Sequence, residues 1–174
     1  ADLLAPYRPF WYEEPVPDHA VDDLARLGPA LSVPTASGES LFAIEEFAPF
    51  LERRVVDLLM PDVKHDGGLA ETRCIAEAAR LSGLLIAPHN PAGPLATAAT
   101  AQVASALSNF AILEYAWGEV PWRAELLDPP ERIVDGYLRL PTGPGLGHRL
   151  NMDVVREHLR QQPASADSSK VVVP

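Results

Sequence analysis

Residues 55–62 read VVDLLMPD, a short apolar run that ends at a proline and an acid. Four other short apolar runs lead in the same way into one polar side chain; the five runs are residues 10–12, 31–33, 55–60, 84–87 and 111–113. The polar residues at or just past their ends are Glu13, Glu39, Asp62, His89 and Glu114. Successive members are separated by 26, 23, 27 and 25 positions, about the length of one strand, one helix and their loops. The spacing therefore predicts a repeated βα unit with one polar side chain in each repeat.

The apolar runs predict a parallel sheet, because they are continuous rather than alternating, as in strands that are covered on both faces. The segments between them carry apolar residues at helical spacing, over about 21–27, 41–53, 69–82 and 94–107. Alternating strands and helices indicate an α/β fold with right-handed crossovers. The C-terminal ends of parallel strands open on one face, so we expect the five polar side chains to meet there. A closed eight-stranded barrel needs about 250 residues, and the 174 residues of this chain are too few to close one.

The pattern changes after Glu114. Residues 117–130 form a segment with two tryptophans and three prolines, and Asp135-Gly136 lies between two short apolar runs, which predicts a hairpin with a two-residue turn. Asn151 is placed to cap a last helix. The expected organisation is a partial (β/α) barrel over residues 1–116, a C-terminal extension with a hairpin and a helix over 117–160, and a disordered tail over 161–174.

The composition excludes some classes of function. With 24 acidic and 14 basic residues the net charge is -10, which argues against nucleic-acid binding and against a polybasic membrane role. No stretch approaches the roughly 18 apolar residues of a membrane span, and no signal peptide is visible. Cys74 is the one cysteine, so no internal disulfide can form, and a cytoplasmic location is expected. Because Cys74 lies in a helical pattern, we expect it to fill the core.

Glu13 and Glu39, on neighbouring strand ends, are candidate ligands for Mg²⁺, which prefers oxygen donors in octahedral geometry. Two ligands are few, so a third carboxylate would come from elsewhere; the alternative is that the two are unrelated surface acids. Glu14 should point away from Glu13 on a strand, and we expect it to be an ion-pair partner rather than a ligand.

Asp62 and His89 end adjacent predicted strands. A carboxylate bound to one imidazole nitrogen fixes the tautomer and raises the basicity of the other nitrogen, which makes a general base near neutral pH. Glu114 is expected across the rim, where it would donate a hydrogen bond if protonated and accept one if ionised. Lys64 lies in a loop that opens on the same rim and could touch a substrate or be solvated. Asn90 either lines the pocket or shapes the turn after His89.

These residues resemble a known family, the enolase superfamily. Trp11-Tyr12-Glu13-Glu14-Pro15 resembles the Glu-Glu-Pro motif after the fourth barrel strand of that superfamily, and Ser37-Gly38-Glu39 resembles the Gly-Glu motif after the fifth. Pro61-Asp62 followed by Gly67-Gly68 resembles the sixth-strand motif of the mandelate racemase subgroup. Pro88-His89-Asn90-Pro91, then Leu113-Glu114, is most similar to the galactonate dehydratase-like branch. The resemblance covers about residues 9–155.

The resemblance implies a Mg²⁺-dependent dehydratase of acid sugars, an enzyme of carbohydrate catabolism. Glu13 and Glu39 match two of three carboxylate ligands of the metal, and His89, oriented by Asp62, matches a catalytic base or acid. Glu114 matches the acid that helps to stabilise an enediolate. Loss of a β-hydroxyl from that enediolate gives a 2-keto-3-deoxy acid. Full-length members of such a family are expected to be homo-oligomers that act on a small-molecule acid sugar.

The chain departs from the family pattern because the N-terminal capping domain and the first three barrel strands have no counterpart in it. The first metal-ligand aspartate and the acid or base on the opposite face are missing with them. We therefore expect the C-terminal half of a TIM-type (β/α) barrel, strands four to eight of the family pattern, open and catalytically incomplete alone. Two alternatives remain: a racemase, epimerase or cycloisomerase of the same superfamily, and a truncated, non-catalytic βα-repeat protein.

Overall fold

The computed structural model describes residues 3–161. The chain forms two compact units, and the boundary between them along the chain lies between residues 119 and 120. The predicted tail, residues 161–174, lies outside the described residues except for Gln161, the last residue of a helix. No helix in the described part of the chain is both long and apolar enough to cross a bilayer.

The first unit is built on a parallel sheet in which the strand order equals the chain order. Its four strands are β1 (Tyr12–Glu13), β2 (Thr35–Ser37), β3 (Leu58–Leu59) and β4 (Leu85–Ile86). A single parallel bridge from Ile86 to Phe110 marks a fifth strand position. The expected βα pattern is thus present, although each strand is only two or three residues long.

The second strand lies later in the chain than the apolar run 31–33 suggested. Pro34 has no N–H group to donate to a ladder, and β2 begins after it at Thr35, whose N–H and hydroxyl both donate to Asp57 Oδ2 at 2.8 and 3.3 Å. The three residues of β2 are small and fully or almost fully buried. Ala36 of this strand packs in an apolar cluster with Leu58, Met60 and Ala87.

Four helices alternate with these strands: α1 (Val21–Leu27), α2 (Ala43–Arg53), α3 (Leu69–Leu81) and α4 (Pro94–Ala104). The main core lies between helices and sheet, and its largest fully buried residues include Phe47 and Phe50 of α2, Leu59 of β3, Ile75 of α3 and Ile86 of β4. A smaller apolar cluster on the other face of the sheet is made of Ala36, Leu58, Met60 and Ala87, with Trp11 and Ala111 packed against it.

Cys74 is exposed, so the expectation that it fills the core is wrong. Helix α3 buries the face that carries Thr72, Ile75, Ala76 and Ala79. At about 100° per residue, Cys74 lies about 150° around the helix from the middle of that face, on the opposite side.

The second unit is described from residue 120 to 161. The strands β5 (Leu127–Asp128) and β8 (Arg149–Leu150) pair antiparallel, and β6 (Ile133–Val134) pairs with β7 (Tyr137–Leu138). The turn between β6 and β7 has positive φ at Asp135 (53°) and Gly136 (78°), as a two-residue hairpin requires. Helix α5 (Met152–Gln161) follows Asn151, whose Oδ1 accepts the Asp153 N–H at 3.3 Å. The predicted hairpin and final cap are therefore present.

Candidate active site

Asp62 and His89, at the ends of β3 and β4, lie in direct contact: Asp62 Oδ2 is 2.9 Å from His89 Nδ1. The Asp62 side chain is 1% exposed and that of His89 is 18% exposed. The Lys64 N–H donates to Asp62 Oδ1 at 2.8 Å, and Lys64 Nζ lies 3.2 Å from Oδ2. Because both Asp62 oxygens already accept from Lys64, the carboxylate acts as an acceptor and His89 Nδ1 is the donor. The other ring nitrogen, Nε2, is then the one free to accept a proton.

Glu39 lies on the far side of the imidazole ring, with its Oε2 3.4 Å from His89 Nε2. The residue before it, Gly38, has a φ of 112°, and a Cβ built there would lie 3.2 Å from the Phe47 ring. Only glycine combines that backbone conformation with so close an approach. The Gly-Glu pair after β2 therefore turns Glu39 towards His89, so that Glu39, His89 and Asp62 form a continuous chain across three strand ends.

Glu13 and Glu114 come from the two sides of the sheet and line one cavity of about 190 Å³. Trp11 Nε1 donates to Glu13 Oε2 at 2.8 Å. The remaining lining residues are Trp11, Met60, Ala87, Pro88, Ile112 and Leu113. The lining thus combines two carboxylates with mostly apolar residues.

Glu14 does not behave as the expected ion-pair partner. Its φ is 39°, so the backbone leaves the strand at this residue and the alternation of side chains stops. Oε1 is buried and has no hydrogen-bond partner. Burial raises the pKa of the Glu14 carboxyl above its usual value, and the charges of Glu39, Asp18 and Glu13 raise it further, against a lowering by the Gly38 N–H. Negative charge is therefore concentrated between β1 and β2.

Asn90 does not line the pocket, because it is 1% exposed. Its main-chain N–H donates to Glu114 Oε2 at 2.8 Å, and its Nδ2 donates to the Glu114 carbonyl and to Thr97 Oγ1, both at 3.0 Å. Of the two interpretations left open by the sequence, the structure supports the one in which Asn90 shapes the turn after His89.

Asp66 is a buried acid that the sequence patterns did not single out. Its Oδ1 accepts the Gly68 N–H at 3.1 Å, its Oδ2 contacts Thr72 Oγ1 at 2.8 Å, and its own N–H donates to the Asp62 carbonyl at 2.8 Å. Burial raises the pKa of Asp66 to about 6, even though its contacts with Thr72 and Gly68 lower it. The local signal was an aspartate three residues before the first residue of helix α3, a usual place for a side chain that binds main-chain N–H groups.

The donor set can be compared with the needs of Mg²⁺. Glu13 and Glu39 supply oxygen ligands of the right kind, and the buried Oε1 of Glu14 has no hydrogen-bond partner. The charges of Glu39, Asp18 and Glu13 around Glu14 raise its pKa, and a nearby cation would offset them. Within residues 3–161, however, no three histidine, cysteine or carboxylate side chains lie together so that they could hold a metal ion. The described residues therefore supply ligands of the type that Mg²⁺ prefers, but too few of them to complete a site.

Comparison with known proteins gives a consistent result. The family model described as "Enolase C-terminal domain-like" matches residues 1–154. The chain is 35% identical over 159 residues to D-xylonate dehydratase of Haloferax volcanii, covering 91% of this chain and 39% of that protein. It is 37% identical over 166 residues to D-galactonate dehydratase of Ralstonia nicotianae, covering 92% of this chain and 44% of that protein.

Solved structures agree. A mandelate racemase/muconate lactonizing enzyme-like protein from Rubrobacter xylanophilus superposes with a TM-score of 0.84 at 36% identity, over 90% of this chain and 40% of that one. A mandelate racemase/muconate lactonizing enzyme from Sulfitobacter superposes with a TM-score of 0.83 at 36% identity, over 89% of this chain and 39% of that one. The chain thus spans about two fifths of the length of these relatives. Its order of strands, its motifs and its relatives agree that it belongs to the enolase C-terminal domain-like family, with the fold of a (β/α) barrel half.

Proposed function

We propose that this chain supplies one side of the active site of a Mg²⁺-dependent acid-sugar dehydratase. The observation that carries the proposal is the placement of His89, with Nδ1 held by the buried Asp62 and Nε2 directed at Glu39. An imidazole fixed in one tautomer beside a metal-ligand carboxylate is suited to move a proton next to a substrate carboxylate. The similarity to the D-xylonate and D-galactonate dehydratases named above supports the same reaction class.

In this proposal His89 Nε2 takes the proton from the carbon next to the substrate carboxylate. The electron pair of the broken C–H bond forms a double bond between that carbon and the β-carbon, the β-carbon–oxygen bond breaks, and the β-hydroxyl leaves as water with the proton that His89 returns. The resulting enol takes the form of a 2-keto-3-deoxy acid, so the net change is the loss of one water. Asp62 stabilises the imidazolium that forms, and Glu114 faces the substrate from the cavity that it shares with Glu13.

Glu13 and Glu39 would hold Mg²⁺ together with a ligand from outside the described residues. When bound, the cation neutralises the substrate carboxylate and makes its neighbouring proton more acidic. The chain alone is proposed to be inactive, because its relatives extend well beyond the region that it matches. We place the reaction in the cytoplasm, since a chain with a single, exposed cysteine is suited to a reducing compartment.

The test uses a completed barrel, which we define as this chain joined to the residues that precede it in its own reading frame. Where none precede it, the corresponding N-terminal residues of the Haloferax volcanii relative are used. The completed barrel is assayed over a library of aldonic acids for 2-keto acid formation with Mg²⁺, beside the variants His89→Asn and His148→Asn. His148 is a half-buried histidine of the second unit, outside the proposed site, and serves as the control.

We expect turnover in the completed barrel and in His148→Asn, with a loss of at least about 100-fold in His89→Asn. Unchanged turnover in His89→Asn would exclude the role given to this residue. Exchange of the substrate proton with deuterated water without formation of a keto acid would indicate an epimerase instead.

A further inference from the structure

Glu114 lies beyond the last main-chain hydrogen bond that joins its strand to the sheet. Within the described residues, that bond runs from the Ala111 N–H to the Ile86 carbonyl at 2.8 Å. Residues 112–114 make no further ladder bonds to β4 in this part of the chain. The position of the Glu114 carboxylate is therefore not set by the sheet.

Asn90 provides the contacts that the sheet does not. Its Nδ2 donates to the Glu114 carbonyl at 3.0 Å, while its main-chain N–H donates to Glu114 Oε2 at 2.8 Å. One residue thus holds Glu114 at both its main chain and its carboxylate. A carboxylate fixed through one oxygen keeps the other for the cavity that it lines.

Asn90 is itself fixed to helix α4. The second hydrogen of Nδ2 goes to Thr97 Oγ1 at 3.0 Å, and the Thr97 hydroxyl donates to the Gly93 carbonyl at 3.2 Å. The Thr97 side chain is fully buried. Both Nδ2 hydrogens of Asn90 and the hydroxyl hydrogen of Thr97 therefore each have one acceptor. These hydrogen bonds connect helix α4 to Glu114 through Asn90.

We propose that Asn90 is a positioning residue, which holds Glu114 at the substrate cavity and in a fixed relation to the adjacent His89. The catalytic consequence rests on the proposed dehydratase function; the structural part does not. Loss of Nδ2 should release the main chain of Glu114, so that its carboxylate moves away from the Asn90 N–H and from the reacting atoms.

The structural part is tested on the 174-residue chain by amide hydrogen exchange, read residue by residue by NMR. The Asn90 N–H reports the placement of Glu114, because Glu114 Oε2 is its acceptor. Asn90→Ala should speed exchange of the residue 90 amide at least about fivefold, as expected for the loss of one hydrogen bond. The matched control is Asn109→Ala, which removes another buried amide that donates to two carbonyls, of Ala76 and Leu84, and should leave residue 90 unchanged.

A second pair of variants covers the case in which Asn90→Ala does not fold. Thr97→Val removes the hydroxyl that accepts from Asn90 and should also speed exchange at residue 90, whereas Thr97→Ser keeps the hydroxyl and should retain protection. If the residue 90 amide stays protected from exchange in Asn90→Ala, the proposal is overturned, whatever the activity of the completed barrel. If only Thr97→Val folds, persistent protection in that variant has the same consequence.

The catalytic part is tested in the completed barrel. Asn90→Ala should lower kcat about 10- to 100-fold with KM changed less, because a small displacement of a catalytic group slows the chemical step. In a Glu114→Gln background the same substitution should cause no further loss, since Asn90 acts through Glu114. Additive losses, or a kcat equal to that of the parent, would overturn this part. A parent barrel without activity on aldonic acids would contradict the proposed function but not the exchange result.

Discussion

Lys64 and His89 share one carboxylate oxygen: Asp62 Oδ2 lies 3.2 Å from Lys64 Nζ and 2.9 Å from His89 Nδ1. The two contacts differ in what they can contribute. The Lys64 side chain is 38% exposed, so its ion pair is screened by water and weak. The contact with His89 is shielded and sets the tautomer of the ring.

This difference predicts unequal effects in the completed barrel. Asp62→Asn offers His89 Nδ1 an amide in place of an anion and should lower kcat at least about 100-fold. Lys64→Met leaves the carboxylate and the main-chain bond to Asp62 Oδ1 in place, and kcat should fall less than about tenfold. Steady-state kinetics of both variants checks the order. A larger loss in Lys64→Met than in Asp62→Asn would mean that Lys64 contacts the substrate.

Asp66 predicts a pH dependence of stability. Its pKa is raised to about 6 from 3.8, so the folded state binds its proton more tightly than the unfolded state. The stabilisation is fully present below about pH 4 and is lost as the pH rises through 6. A shift of two pKa units corresponds to about 3 kcal/mol. This is the largest decrease in the free energy of unfolding that Asp66 can cause between pH 4 and pH 7.5.

The variant Asp66→Asn should remove this dependence. A protonated Asp66, or an asparagine at this position, donates a hydrogen bond to Thr72 Oγ1. The Thr72 hydroxyl is then free to donate to the Gly68 carbonyl, 3.0 Å away. Urea unfolding of the chain should show Asp66→Asn more stable than the parent at pH 7.5 and equal to it near pH 4. A variant that is less stable at both pH values would show that the ionised carboxylate is needed.

The left-handed backbone conformation of Gly38, which precedes Glu39, leads to a prediction about stability. Gly38→Ala introduces a Cβ at a φ of 112° and 3.2 Å from the Phe47 ring, and should lower the free energy of unfolding by about 1 to 3 kcal/mol. The matched control is Gly93→Ala, where φ is -64° and no atom lies within 4 Å of the new Cβ. Thermal unfolding of both variants measures the difference. Equal melting temperatures would contradict the close approach at Gly38.

Magnesium binding distinguishes a partial from a complete ligand set. Within the described residues Glu13 and Glu39 have no third ligand, so calorimetric titration of the chain should show no saturation at micromolar Mg²⁺. The completed barrel should bind more tightly, and Glu39→Gln should weaken its binding. Micromolar affinity of the chain itself would show that nearby groups such as Glu14 complete the site.

The sequence was sufficient for the order of βα units, because each apolar run ends at a polar residue at regular spacing. It was insufficient where small residues replace apolar ones. Strand β2 is Thr35–Ser37, which no hydrophobic pattern marks, and it is buried between the neighbouring strands β1 and β3. The same limit applies to Glu14, where a left-handed backbone conformation ends the alternation that the strand pattern assumes.

The site residues divide in a similar way. Asp62 and His89 could be paired from the sequence because they end neighbouring strands, although their roles remain predictions. Asn90 could not be assigned, because its partner, Glu114, is 24 residues away and is brought to it only by the path of the loops. Contacts between a side chain and a distant main chain have no periodicity from which they could be read.

The equality of strand order and chain order has a consequence for folding kinetics. Each strand of the parallel sheet pairs with the strand that immediately precedes it in the chain, so every ladder closes a loop of similar, moderate length. Loop-closure entropy rises only slowly with length, and folding rates fall as contacts become more remote in sequence. The sheet can therefore grow by adding one βα unit at a time to its neighbour, and no step has to wait for the two ends of the chain to meet.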